Sequence, residues 1–99
     1  MSYRTRIKES VLHAIDAETE RAQEKHSFSL ERLALLNPER AAAVLAEETG
    51  EVAEAAMNYG DQVRHPEPYT TAIEMTRTKL RAELVQVASV AIRWLETLG

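Results

Sequence analysis

The 99-residue chain contains no cysteine. Disulfides, thiolate metal sites and thiol nucleophiles are thereby excluded, and a reducing cytosol is a compatible setting. Glycine is scarce: Gly50, Gly60 and Gly99 stand apart, so no glycine-rich loop can cradle a phosphate. Three prolines, one tryptophan, three tyrosines and one phenylalanine leave few helix breakers and few stacking rings. There is no long basic run, and the formal net charge is -4, which argues against a broad nucleic-acid surface. No apolar run approaches the ~18 residues of a membrane span. Met1-Ser2-Tyr3-Arg4-Thr5-Arg6 leads into amphipathic sequence without an apolar core, so no signal peptide is expected and a cytoplasmic location is. His13, His26 and His65 lack metal-ligand spacing and read as ordinary surface or core residues. Nothing supports a Ser-His-Asp triad.

Alanine, glutamate, leucine and arginine are plentiful instead, a mixture that favours helix. One all-α domain over residues 1–99 is expected. The first helix should run from residue 3 to about residue 25, on Tyr3, Ile7, Val11, Ala14 or Ile15, and Ala22. Its second half, Asp16 to Lys25, carries charges of both signs. That reads as a solvated face, with Arg21 or Lys25 reaching a ligand phosphate as the alternative. His26-Ser27-Phe28-Ser29 is a break, and a short helix from Leu30 to Leu36 follows. Asn37-Pro38-Glu39 is the best helix start: asparagine caps, proline suits the first turn, and glutamate favours the positive helix end. The second long helix should run from Pro38 to about Tyr59, with Gly60 as its stop and a loop to Pro68. The third should begin near Tyr69 to Ala72, with Thr71-x-x-Glu74 as a capping box, and run to about Leu98. Between Val85 and Ile92 it is apolar nearly all round, broken by Gln86 and Ser89, so it needs cover on several sides. Three long helices and a short one give too little cover. A helical bundle completed by dimerisation is therefore expected. Tyr59 and Trp94 read as core or interface residues, or as platforms for a nucleobase.

Acidic residues interrupt these apolar stripes in two places. Residues three and four apart share a helix face. Val44, Glu48, Glu51 and Ala55 line up on the second long helix, with Glu47 one turn before Glu51. Glu83 and Gln86 break the third long helix at the same three-residue spacing. A buried carboxylate is costly unless it is paired or bound to a cation. Arg40, Lys79 and Arg81 are too few and too peripheral to neutralise all of these acids. A hard divalent cation does so directly: Mg2+ takes oxygen ligands and commonly joins carboxylates to substrate phosphates. Carboxylates on facing helices are an established way to build such a site in a bundle.

Glu47-Glu48-Thr49-Gly50-Glu51, followed by Glu83-Leu84-Val85-Gln86, resembles the signature of the MazG-like all-α nucleoside triphosphate pyrophosphohydrolases. Their pattern is Glu-Glu-x-x-Glu on one helix and Glu-x-x-Asp on a later one. The likeness runs from about residue 16 to 98, weakest at 26–37 and 60–78. It implies a helical bundle assembled as a homodimer or homotetramer. It further implies Mg2+, or Mn2+, held by Glu48, Glu51 and Glu83, with Gln86 in the place of the aspartate. Glu47 would be the catalytic acid that orients the attacking water, or a further ligand. The implied reaction is hydrolysis of a ribo- or deoxynucleoside triphosphate between the α- and β-phosphates, a nucleotide-pool housekeeping activity. Lys79, Arg81, Arg21 and Lys25 are the candidate phosphate contacts. Gln86 departs from the pattern: its amide removes one negative charge, which implies weaker metal binding or fewer metals.

Two other readings compete. A non-catalytic oligomerisation or regulatory module that keeps a weakened metal or nucleotide site is favoured by Gln86. A structural dimer with solvated acidic faces is the plainer alternative.

Overall fold

A computed structural model describes residues 7–25, 29–68 and 70–99. It is all-helical, with no strand among the described residues. Helix α1 spans Glu9–Lys25, α2 Leu30–Leu36, α3 Pro38–Arg64 and α4 Ala72–Leu98. Helix α4 packs against each of the other three, while α1 and α3 flank it without packing on one another among the described residues. None of these helices is long and apolar enough to cross a membrane.

The helix ends follow from local chemistry. Ser29 caps α2 by accepting the Arg32 amide, and Asn37 caps α3 by accepting the Arg40 amide at 3.1 Å, with Pro38 in the first turn. The expected short helix and the Asn37-Pro38 start are both present. Three expected boundaries are not. Ile7 and Lys8 are non-helical and α1 begins at Glu9, where the Lys8 carbonyl accepts the Val11 and Leu12 amides; Tyr3 lies outside the described residues. Gly60 does not stop α3, which continues to Arg64 and ends at His65. A glycine terminates a helix by turning left-handed, and among the described residues only Gly99 has a positive φ. The stop is set by Pro66, which disfavours helical backbone at the residue before it. Nor does the Thr71-x-x-Glu74 box form: Thr71 makes no side-chain cap bond, and its backbone, at φ -97° and ψ 16°, is not the extended one typical of an N-cap. Tyr69 and His26 lie outside the described residues.

Burial inverts the expected arrangement of α4. Its buried residues are Glu83, Ser89 and Arg93, with Gln86 half-buried on the same stripe. Leu84, Ile92, Leu95 and Leu98 are exposed, and at 100° per residue they lie on the opposite side of the helix. The inward polar stripe is tied to the rest of the chain. The Ser89 and Thr19 hydroxyls share a 2.7 Å hydrogen bond that joins α4 to α1. Arg93 donates through Nε and Nη2 to Glu31 Oε1 at 2.8 and 2.7 Å, which joins α4 to α2. The apolar core is small, made of Ile15, Ala34, Ala41 and Ala55. The chain exposes 7664 Å², against about 5,700 Å² for a folded monomer of this size.

Replacing Asn37 by alanine removes the α3 cap. A loss of about 1 kcal/mol is expected, which lowers the midpoint of thermal unfolding by about 4–8 °C. Circular dichroism melts of the two proteins measure it, and equal midpoints would mean that the cap contributes nothing.

Candidate metal centre and adjoining cavity

The acidic residues converge. On α3, Glu48 and Glu51 follow one another by one turn, and α4 brings Glu83 opposite them. One carboxylate oxygen from each lies within 4.8 Å of the other two. Opposed ligands of an octahedral Mg2+ stand about 4.2 Å apart, so a small closure would make this a coordination sphere. Glu83 is nearly fully buried and accepts from Lys79 Nζ at 2.8 Å through Oε1. Its other oxygen, and Oε2 of Glu48, are buried without a hydrogen-bond partner. Two orphaned carboxylate oxygens in one cluster are costly, and they fit an oxygen-seeking cation.

Electrostatics reports the same strain. Burial, then the charge of Glu83 and those of Glu18 and Glu47, pushes Glu48 above the ordinary carboxylate range. Glu51 is also raised, first by the Glu83 carboxylate close against it and then by the Glu48 charge. Glu83 moves the other way, because the Lys79 ammonium holds it ionised against the cost of burial. The cluster's close cationic partner, Lys79, is two-thirds exposed, and Arg21 offsets the Glu48 charge only in part because it is paired with Glu18.

Beside the cluster lies a cavity of about 340 Å³. Leu30, Leu33, Val44 and Val90 form apolar walls, and Glu48, Gln86, Ser89 and Arg93 supply polar groups. Glu48 belongs to both features, so the cavity adjoins the carboxylates. No protein-family model, curated protein or solved structure gives a significant match to the chain. The chemistry of the site therefore has to be argued from its own side chains.

Their placement sorts the sequence candidates. Glu48, Glu51 and Glu83 come together. Gln86 lies one turn beyond Glu83 and lines the cavity. Glu47 is exposed beside Glu48. Among the cationic candidates, Lys79 reaches the cluster through Glu83. Arg21 lines the cavity but is held by Glu18 in a two-pronged pair at 2.9 and 2.6 Å. Arg81 is exposed in the grooves that flank α4, and it does not line the cavity that holds Glu48. Lys25 ends α1, and its side chain lies outside the described residues. Sequence reasoning assigns no site role to Arg93, Glu31 and Thr19, and takes Ser89 only as an interruption of the apolar run. For Ser89 and Arg93 the signal is the recurrence Glu83, Gln86, Ser89, Arg93 at three- and four-residue steps on one helix, whereas Glu31 and Thr19 carry none.

Glu48→Gln removes a carboxylate whose folded-state affinity for protons is raised. Such a group destabilises the fold when ionised, above its raised pKa, and ceases to do so as pH falls to the ordinary glutamate value of about 4.3. In the absence of metal, Glu48→Gln should therefore melt higher than the wild type at pH 7, and the gap should close towards pH 4. A gap that is absent at pH 7, or that widens on acidification, would contradict the repulsion.

Proposed function

We propose that the protein is a divalent-metal-dependent nucleoside triphosphate pyrophosphohydrolase, working with Mg2+ or Mn2+. The observation that carries this reading is the convergence of Glu48, Glu51 and Glu83, with two buried orphaned oxygens, on the edge of a cavity of small-molecule size. The motif spacing on α3 and α4, which resembles the MazG-like family, supports the same class.

Glu48, Glu51 and Glu83 would hold the cation, which would supply positive charge against the phosphates of the substrate. Lys79, on an exposed stem, is placed to turn from Glu83 to a phosphate once that carboxylate has another cation. Glu47, exposed beside Glu48, orients a water molecule and takes its proton as the oxygen attacks the α-phosphorus. The bond to the bridging oxygen breaks and pyrophosphate leaves. The nucleoside monophosphate remains as the second product.

The working form is a homo-oligomer, a dimer at least. The chain exposes about 2,000 Å² more than a monomer of its size, and the outward stripe of α4 is apolar. A second copy that packs on Leu84, Ile92, Leu95 and Leu98 gives α4 the cover its composition demands. A non-catalytic module is the second reading, favoured by the neutral Gln86 amide beyond Glu83.

Pyrophosphate release from a panel of ribo- and deoxynucleoside triphosphates tests the activity. Release with Mg2+ or Mn2+, lost in EDTA and reduced at least 100-fold in Glu48→Gln, is expected. No release from folded, oligomeric wild type would favour the non-catalytic module. The assembly has its own test: Leu84→Glu combined with Leu95→Glu should shift the sedimentation mass to that of the monomer, and an unchanged mass would place the interface elsewhere.

A further inference from the structure

The polar stripe of α4 continues past the carboxylates. Glu83 stands at the cation site, Gln86 follows one turn on, and Ser89 and Arg93 lie deeper along the same side. Six residues separate Glu83 from Ser89, about 9 Å along a helix. That is roughly the reach of a nucleoside from its 5′ oxygen to the far edge of its base. The polar groups of the cavity differ in availability. Ser89 is engaged with Thr19, and Arg93 with Glu31. Neither of these bonds takes the Gln86 amide, and Gln86 lines the cavity together with the aliphatic walls as well as a groove beside Glu18, Arg21 and Arg81. An amide offers a donor and an acceptor side by side, the complement of a nucleobase edge, where paired donors and acceptors alternate. With Arg93 neutralised by Glu31, the inner part of the cavity suits a flat, uncharged heterocycle.

We propose that this cavity is the nucleoside pocket of the site, and that Gln86 hydrogen-bonds the edge of the base there instead of serving as a ligand of the cation. This rests on the nucleotide reading given above. It accounts for an amide one turn beyond Glu83: a neutral donor–acceptor group reads a base, and a further carboxylate would not donate. Specificity then resides one helical turn from the metal, on the helix that supplies Glu83. Phosphates lie against the carboxylates, and the base lies between Leu30 and Leu33 on one wall and Val44 and Val90 on the other.

The test separates the two roles with readouts that need no turnover. Wild type, Gln86→Met and Gln86→Asp are titrated with Mn2+ by calorimetry. Separately, they are titrated with the common nucleoside monophosphates in EDTA, up to millimolar concentration, and followed by NMR. Circular dichroism confirms that each variant is folded. The expected result is a Mn2+ affinity for Gln86→Met within about twofold of wild type. Binding of the preferred monophosphate should fall about tenfold or more, with a flatter preference among bases. Mn2+ binding at least tenfold weaker in Gln86→Met and tighter in Gln86→Asp would make Gln86 a ligand and overturn the proposal. Monophosphate binding that is undetectable in wild type, or unchanged in Gln86→Met, would overturn it as well. Failure of the parent reading looks different: monophosphates bind and Gln86→Met weakens them, which upholds the pocket, while triphosphates release no pyrophosphate.

Discussion

Helix α4 is covered on its polar side and bare on its apolar side, and most of the structure follows from that orientation. Glu83, Gln86, Ser89 and Arg93 point into the chain, where each polar group has to find a partner or stay unsatisfied. Ser89 finds Thr19 on α1, and Arg93 finds Glu31 on α2. Those two links position both neighbouring helices around α4. Glu83 finds only Lys79 for one of its oxygens. The site is the one place on the stripe where polar groups outnumber partners. An apolar inward face would have packed tightly and left no cavity and no cluster.

The same orientation explains the small core. Among the described residues, four, three of them alanines, make up the buried apolar set. Alanine permits close helix approach but buries little area, so hydrophobic stabilisation within one chain is slight. The large aliphatic side chains sit outside, where another surface can cover them. Under the proposed assembly, stability and association are joined, as in dimers whose folded monomers do not persist alone.

Much of this architecture could be read from local signals. The bounds of α2, the Asn37-Pro38 start, the α4 span and the Glu48–Glu51 spacing all rest on neighbours within one or two turns, which a sequence displays directly, whereas the meeting of Glu83 with them depends on how α3 packs on α4. Gly60 misled because a glycine ends a helix only if the backbone turns left-handed there, and the chain after it continues as helix until Pro66. Thr71 misled because its backbone is not in the extended region that an N-cap typically adopts, which a residue pattern does not display. The largest surprise was the inward face of α4. Periodicity separates the two faces of a helix but does not say which one meets its own chain. That choice is made by pairs such as Arg93 with Glu31, 62 residues apart, which no local window contains. Gln86 was legible as an interruption, but the cavity around it needed the packing of all four helices.

Helix α2 is only seven residues long, well under the ~12–15 at which an isolated helix becomes even marginal in water. Its helicity is borrowed from Ser29, from the Arg93–Glu31 pair and from whatever Leu30 and Leu33 touch. Those two leucines are also a wall of the cavity. Anything that fills the cavity thus adds contacts to the least self-sufficient segment of the fold, and anything that unwinds that segment opens the cavity to water. Occupancy and local folding are two sides of one equilibrium, so backbone amide exchange in residues 30–36 acts as a gauge of how full the pocket is.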